Sequence, residues 1–278
     1  MKKKLLLGVI LLMLAAITGQ AQSLNIATYN LRYDNKGDSL NPWPQRLPMQ
    51  ANLIKFHDFD IFGTQEGLYH QLQDLKKALP DYDYLGIGRD DGKQAGEFSA
   101  IFYKTAQFKV LDKGNFWLAP VTDKPNKGWD AALPRICSWA KFQEKKSGNT
   151  FYFFNVHFDH RGKQAQAESA KLLLQKIKTI AGSTPSILTG DFNINQREAP
   201  YDILNNSALL KDAYELTPLK YAGLGTFNSF DIKTNSDSRI DHIFLTSQFK
   251  VKRYGILTDS YKGKVPSDHF PVLIEVTR

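Results

Sequence analysis

Six short stretches of the sequence place polar, ligand-type side chains at the end of an apolar run or just past it. TYNLR supplies Asn30, GTQEG Glu66, NVHFDH His157, TGDFN Asp191 and Asn193, SRIDHIF Asp241, and SDHFP Asp268 and His269. Oxygen donors from Asn, Asp and Glu, with no cysteine and with histidines outnumbered by carboxylates, suit a hard cation such as Mg²⁺ better than Zn²⁺. A carboxylate-held Mg²⁺ keeps positions open for phosphate oxygens, so the chemistry indicated is that of phosphate esters. Each residue alone has a plainer explanation: Asn30, Asp191 and Asn193 could satisfy turn backbone, and Asp241 could pair with Arg239. Their shared place at run ends is what carries the argument, because rigid strands would aim all of them into one rim.

The elements that must do this aiming are legible as runs rich in β-branched and aromatic residues. They are LNIATYNLR, DIFGTQE, FSAIFYK, ICSWAKFQ, TFYFFNVHF, PSILTGDFN, RIDHIFLT, YGILTD and FPVLIEV. Two helical patterns lie between them: Leu68, Leu72, Leu75 and Leu79 share one face before Pro80, as do Ala170, Leu173, Leu174, Ile177 and Ala181. Many strands with a few interspersed helices predict an α+β domain of two packed sheets with helices outside.

Taken in this order and at these separations, the six segments resemble the endonuclease/exonuclease/phosphatase (deoxyribonuclease-I-like) superfamily, in a secreted bacterial branch. The resemblance spans the chain after its first 22 residues and implies a four-layer αββα sandwich. It implies that Glu66 is the main metal carboxylate, with Asn30 shaping its surroundings and Asp268 near a second metal position. Asp191 would orient or deprotonate the attacking water, and Asn193 would contact the phosphate. His269 would sit against the scissile phosphate, held by Asp241. His157 stands where the superfamily carries histidine or tyrosine, with Glu97 placed to orient its ring and favour its charged form. The implied cofactor is Mg²⁺, with Mn²⁺ able to substitute, and the implied reaction is phosphoester hydrolysis.

Composition bounds the rest. The 278 residues show no linker, low-complexity tract or repeat, so one domain over 23–278 is expected. Residues 1–22 have the layout of a cleaved export signal: three lysines, the apolar run Leu5 to Ile17, then small residues. That run is short for a membrane span, so an exported protein, periplasmic or extracellular, without a stable span and monomeric is expected. Without the signal the chain keeps 33 basic and 28 acidic residues, a net of +5, in scattered pairs and no dense stripe. Nucleic acid is therefore a possible partner but not the favoured one. Cys137 is the only cysteine, so no internal disulfide supports the fold. The segments GRDDGKQAGE, KGWDAALPRICSW and HFDHRGKQ offer Arg89, Glu97, Trp129, His160 and Arg161 as substrate-reading residues, with Arg135 at the same pocket edge. The expected substrate is a phosphomonoester or phosphodiester on a small, sugar or lipid group. A secreted nuclease is the alternative, and a non-catalytic binding module is the alternative of another class.

Overall fold

The computed structural model describes residues 23–278; the signal expected over 1–22 lies outside the described residues. In chain order the elements are β1 (Leu24–Asn30), α1 (Trp43–Phe56), β2 (Ile61–Gln65), α2 (Tyr69–Ala78), β3 (Tyr82–Leu85), β4 (Ile101–Lys104), β5 (Phe108–Trp117), β6 (Ile136–Glu144), β7 (Thr150–His157), α3 (Lys163–Ala181), β8 (Ser186–Asp191), α4 (Ala199–Asn205), β9 (Lys211–Asp212), β10 (Lys220–Tyr221), β11 (Asp241–Leu245), β12 (Lys250–Ile256) and β13 (Val272–Thr277). They form a seven-stranded sheet in the order β10-β12-β13-β1-β2-β4-β3 and a six-stranded sheet in the order β5-β6-β7-β8-β11-β9.

Three apolar clusters define the four layers. Ile26, Ile61, Phe151, Phe153, Ile187 and Ile243 meet between the sheets. Ala27, Tyr29 and Phe62 pack outward against Leu53 and Ile54 of α1 and Leu72 and Leu75 of α2. Phe154, Val156 and Leu188 pack outward against Ala170, Leu173 and Ile177 of α3 and Leu204 of α4. The central strands are thus apolar on both faces, as strands covered on both sides must be.

The period of two then decides where the polar strand ends point. Asn30 continues the inner row of Leu24 and Ile26, His157 that of Phe151 and Phe153, and Asp191 that of Ile187; Asp241 begins that of Ile243 and Leu245. Register sets them side by side, with His157 opposite Asp191 and Asp191 opposite Asp241.

Beneath this rim the inner rows turn polar. Asn155 donates to the Thr64 and Ala100 carbonyls, and its Oδ1 accepts from Gln65 and Thr189. The sheets approach so closely there that a Cβ on Gly63 would lie 2.2 Å from Asn155 Oδ1 and 2.4 Å from Thr189 Oγ1. Gly63→Ala should therefore destabilise the fold by about 1–3 kcal/mol through overpacking of a hydrogen-bonded layer. A urea melt checks this: a midpoint unchanged within error would mean that the sheets part at no cost.

The two expected helices match α2 and α3. α1 is an addition, as are α4 and the strands β3, β5, β9 and β10. The strand within the run FPVLIEV, β13, starts only at Val272, and Asp268 and His269 lie in the segment before it, with His269 joined to Phe227 by an isolated bridge.

Candidate active site

Asp191 is the hub of the rim. Its Oδ2 accepts from Asn30 Nδ2 at 2.9 Å and its Oδ1 from the Asn193 N–H at 2.9 Å. His157 Nε2 lies 3.6 Å and His269 Nε2 3.7 Å from Oδ2. Asn30 also donates to Glu66 Oε1 at 3.1 Å, while its Oδ1 accepts from the Arg32 N–H. The Asn30 amide thus positions two carboxylates.

Glu66 follows Gln65, an inner-row residue, and by alternation would face the helices. Its φ of 65° turns the chain there, and its carboxylate accepts from Asn30 and from the Tyr33 N–H. Asn193 has a φ of 50° and Arg32 one of 57°. Non-glycine residues in this region carry strain, and three at one rim mark a surface whose side-chain directions are over-determined by their surroundings.

Burial opposes a charge on the His269 ring, but Asp241 at 2.9 Å from Nδ1 and then Asp191 more than offset it, raising the ring well above the usual histidine value. Asp191 is itself raised, by burial first and by the charge of Asp241 next. His157 goes the other way. Burial and the Arg135 charge lower it to about 3, so it is neutral at pH 7. Burial pushes Asp268 up to about 6; His269 pulls it down and Glu66 adds to the rise.

Three carboxylates, Glu66, Asp191 and Asp268, therefore share a rim where the nearest unburied cation is Arg32, 3.6 Å from Asp268 and 3.9 Å from Glu66 and already paired with Asp38. Burial first, and then the Glu66 charge, raise Asp268, while the charges of His269, Arg32 and Arg46 oppose the rise. Among the described residues, ligand atoms of Glu66, His157 and Asp191 lie within 4.8 Å of one another, as do those of Asp191, Asp241 and His269. A neutral imidazole and clustered carboxylate oxygens are a donor set that fits a divalent cation.

The rim opens into a cleft of about 560 Å³ lined by Arg32, Tyr33, Glu66, Glu97, Leu133, Arg135, His157, His160, Asp191, Asn193, Phe227, Ile240, Asp268 and His269. That is the size of a small-molecule site. Apart from its charges it presents Phe227, 42% exposed, whose ring meets the His269 ring edge-on at 5.1 Å between centroids.

Comparison with known proteins agrees with this geometry. The sequence model of the Endonuclease/Exonuclease/phosphatase family matches residues 27–269, from β1 to His269. The chain belongs to this family. The mannosyl-6-phosphatase of Bacteroides thetaiotaomicron is 52% identical, with a TM-score of 0.90 over 92% of this chain and all of that one. An endonuclease/exonuclease/phosphatase of Bacteroides vulgatus is 41% identical, with a TM-score of 0.87 over 92% of this chain and 98% of the other. The catalytic domain of human nocturnin shares the fold at 18% identity, with a TM-score of 0.72 over 93% of this chain and 97% of that domain. The chain is thus a phosphoester hydrolase by family, and the family is divalent-metal dependent.

All eight residues expected from the six segments meet at this family rim, Asn30 and Asp241 as partners of carboxylate and imidazole and the other six along the cleft. Three of the five residues expected to read substrate are elsewhere. Arg89 is buried behind the cleft wall in a two-pronged bond with Glu97, at 2.6 and 2.8 Å, and Trp129 and Arg161 are absent from the cleft lining. A buried guanidinium needs a carboxylate, and Glu97 meets it with both oxygens while Asp90 stands farther off, at 3.8 Å from Nε. Hence Glu97 does not orient His157 by a hydrogen bond: it stands 3.5 Å from Nδ1, which has no partner, and the ring is neutral where a charged one was expected. Arg239 pairs with Asp212, leaving Asp241 to His269.

Several residues of the site carry no motif signal. Arg46 and Gln50 of α1 donate to the Leu31 carbonyl, and Gln50 also to that of Pro266, fixing the loops that bear Arg32 and Asp268. Asp159 is buried, yet the Gly162 and Arg161 N–H groups and the Arg135 charge hold it well below the usual carboxylate range. The only sequence cue for Asp159 is its position two residues past His157, and Arg32 has a similar cue two past Asn30.

Proposed function

We propose that this protein is an exported, Mg²⁺-dependent phosphatase that hydrolyses the phosphomonoester of a sugar. The observation that carries the reading is the cleft itself: one charged histidine, a buried carboxylate base and a metal-type carboxylate set open into a walled volume of small-molecule size. The 52% identity to a mannosyl-6-phosphatase supports the choice of a sugar ester. The scattered lysines and the absence of a dense basic stripe favour a compact substrate over a nucleic acid. Export is supported by the lysine-led apolar segment at residues 1–22, and sequencing of the secreted form should give a start near Gln22 or Ser23; an intact Met1 would refute it.

Glu66, Asp191 and Asp268 are the groups that would hold the cation, with His157 available as a neutral nitrogen donor. When bound, the cation polarises the phosphate and offsets its charge. The chain supplies the rest. Asp191, fixed by Asn30 and the Asn193 N–H and raised by burial, takes a proton from the attacking water. His269, charged and steadied by Asp241, donates from Nε2 to the phosphoryl oxygens as their charge grows. Asn193 gives one amide N–H to the Phe158 carbonyl, and its remaining N–H is available to the phosphate. The water oxygen bonds to phosphorus as the P–O bond to the sugar breaks, the departing sugar oxygen takes up a proton that balances the one passed to Asp191, and inorganic phosphate and the free sugar leave without a covalent enzyme intermediate.

The test is phosphate release from mannose 6-phosphate, 4-nitrophenyl phosphate, a phosphodiester and plasmid DNA, with the Asp191→Asn, His269→Ala double variant as the control for contaminants. We expect fastest turnover of the sugar monoester, loss in chelator and recovery with Mg²⁺ or Mn²⁺, and a weaker metal dependence for Glu66→Gln. Plasmid nicking by wild type alone, with no monoester cleaved, would replace this reading by that of a nuclease; full activity in chelator would remove the metal from it.

A further inference from the structure

One wall of the cleft is organised by a residue that does not line it. The buried carboxylate of Asp159 accepts from the Leu133 N–H at 3.2 Å, Arg135 Nε at 3.3 Å, the Arg161 N–H at 3.0 Å and the Gly162 N–H at 2.8 Å. It therefore ties the segment before β6 to the turn that opens α3. Arg135, held in this way and 4% exposed, donates from Nη2 to His160 Nδ1 at 3.0 Å. A guanidinium can only donate, so Nδ1 is the acceptor and the ring proton of the otherwise exposed His160 sits on Nε2. The wall thus offers a fixed imidazole donor.

Glu97 offers the complement. Both its oxygens take N–H groups from Arg89, yet each keeps a further lone pair, and the half-buried carboxylate lines the same cleft as His160. A donor and an acceptor, each oriented by a buried arginine and lining one cleft, are groups that ring hydroxyls satisfy: one accepts from the imidazole and another donates to the carboxylate. An ester without hydroxyls has no donor for the carboxylate. The metal-type carboxylates and His269 account for the phosphate, so these two groups are free to read the alcohol.

We propose that Glu97 and His160 form a hydroxyl clamp for the sugar half of the substrate, a hexopyranose 6-phosphate, and that Asp159 is the positioning residue that builds it. The proposal rests on the phosphatase reading above and names the part of that cleft which gives selectivity.

Kinetics on mannose 6-phosphate, its 2-, 3- and 4-deoxy analogues and 4-nitrophenyl phosphate test it, with His160→Ala, Glu97→Gln and Asp159→Asn. His160 is exposed, so its replacement carries little risk to folding. For His160→Ala, kcat/KM on the sugar ester should fall about 10- to 100-fold, mostly through KM, and by much less on the aryl ester. The deoxy analogue whose missing hydroxyl met His160 should show the wild-type penalty and no further loss in the variant. Asp159→Asn should lower the same sugar-to-aryl ratio, because it loosens Arg135 and with it the His160 ring. An equal fall on both esters would mean a merely structural role for these residues, and a ratio unchanged in all three variants would remove the clamp; either result overturns the proposal. Wild type that cleaves the aryl ester but no hexose phosphate overturns it as well. Wild type inactive on every monoester would instead overturn the phosphatase reading on which the clamp depends.

Discussion

Asp191→Asn is expected to lower kcat by about 10³-fold at saturating metal, within the range for loss of a positioned general base. The substitution keeps shape while removing the proton acceptor and one metal-type oxygen. Its effect on stability should be small, because two terms oppose each other. An amide cannot accept at both Oδ positions, so either the Asn30 or the Asn193 N–H loses its partner, costing about 1–3 kcal/mol. Against this, a buried charge disappears from beside Asp241, relieving the repulsion that helps to raise Asp191. A melting temperature within a few degrees of wild type, together with the kinetic loss, is the expected pair of results. A kcat within tenfold of wild type would show that another group activates the water.

His269→Ala should cost about 10²–10³ in kcat, as loss of a charged donor to the developing phosphoryl charge does. The more diagnostic variant is Asp241→Asn. The active form of His269 is the protonated one, and Asp241 contributes most to holding the proton. Wild type should keep its activity well above the ordinary histidine pKa and lose it only as the pH rises through the raised value. Without the Asp241 charge that alkaline limb should move to lower pH by about one unit or more. The same shift links to stability. A histidine raised on folding gives stabilisation that is complete below its unfolded pKa of about 6.5 and fades as the pH climbs through the folded value, so Asp241→Asn should destabilise most below that point. An alkaline limb that stays where it is in Asp241→Asn would assign the titration to another group.

The strand ends were legible because strand chemistry is local. A run such as TFYFFNVHF, apolar on both faces with a histidine next to its end, reports a covered strand and a rim residue without any knowledge of its neighbours. Period two sorts Asn30, His157, Asp191 and Asp241 into one row of each strand, and the packing of the sheets makes those rows the inner ones. α1 was not legible, since Pro48 inside it argues against a helix; its place is secured by Ala51, Leu53 and Ile54 in the outer core and by Arg46 and Gln50 bound to loop carbonyls. β5 was hidden for the opposite reason. It is an edge strand, exposed through Lys109 and Leu111 to Lys113, and lacks the alternation that a covered face imposes.

What only the tertiary structure decided is the charge and partnership of the site. Residue type and order identify His157 and Glu97 as members but cannot say that Arg89 takes the carboxylate, or that burial beside Arg135 leaves the imidazole neutral. Nor can they show that the backbone turns at Glu66, or that Asp159 builds the wall of the cleft. Side-chain alternation is a property of the chain and can be read along it. Desolvation and Coulomb energy depend on distances between residues far apart in sequence, and these exist only once the two sheets have closed on each other.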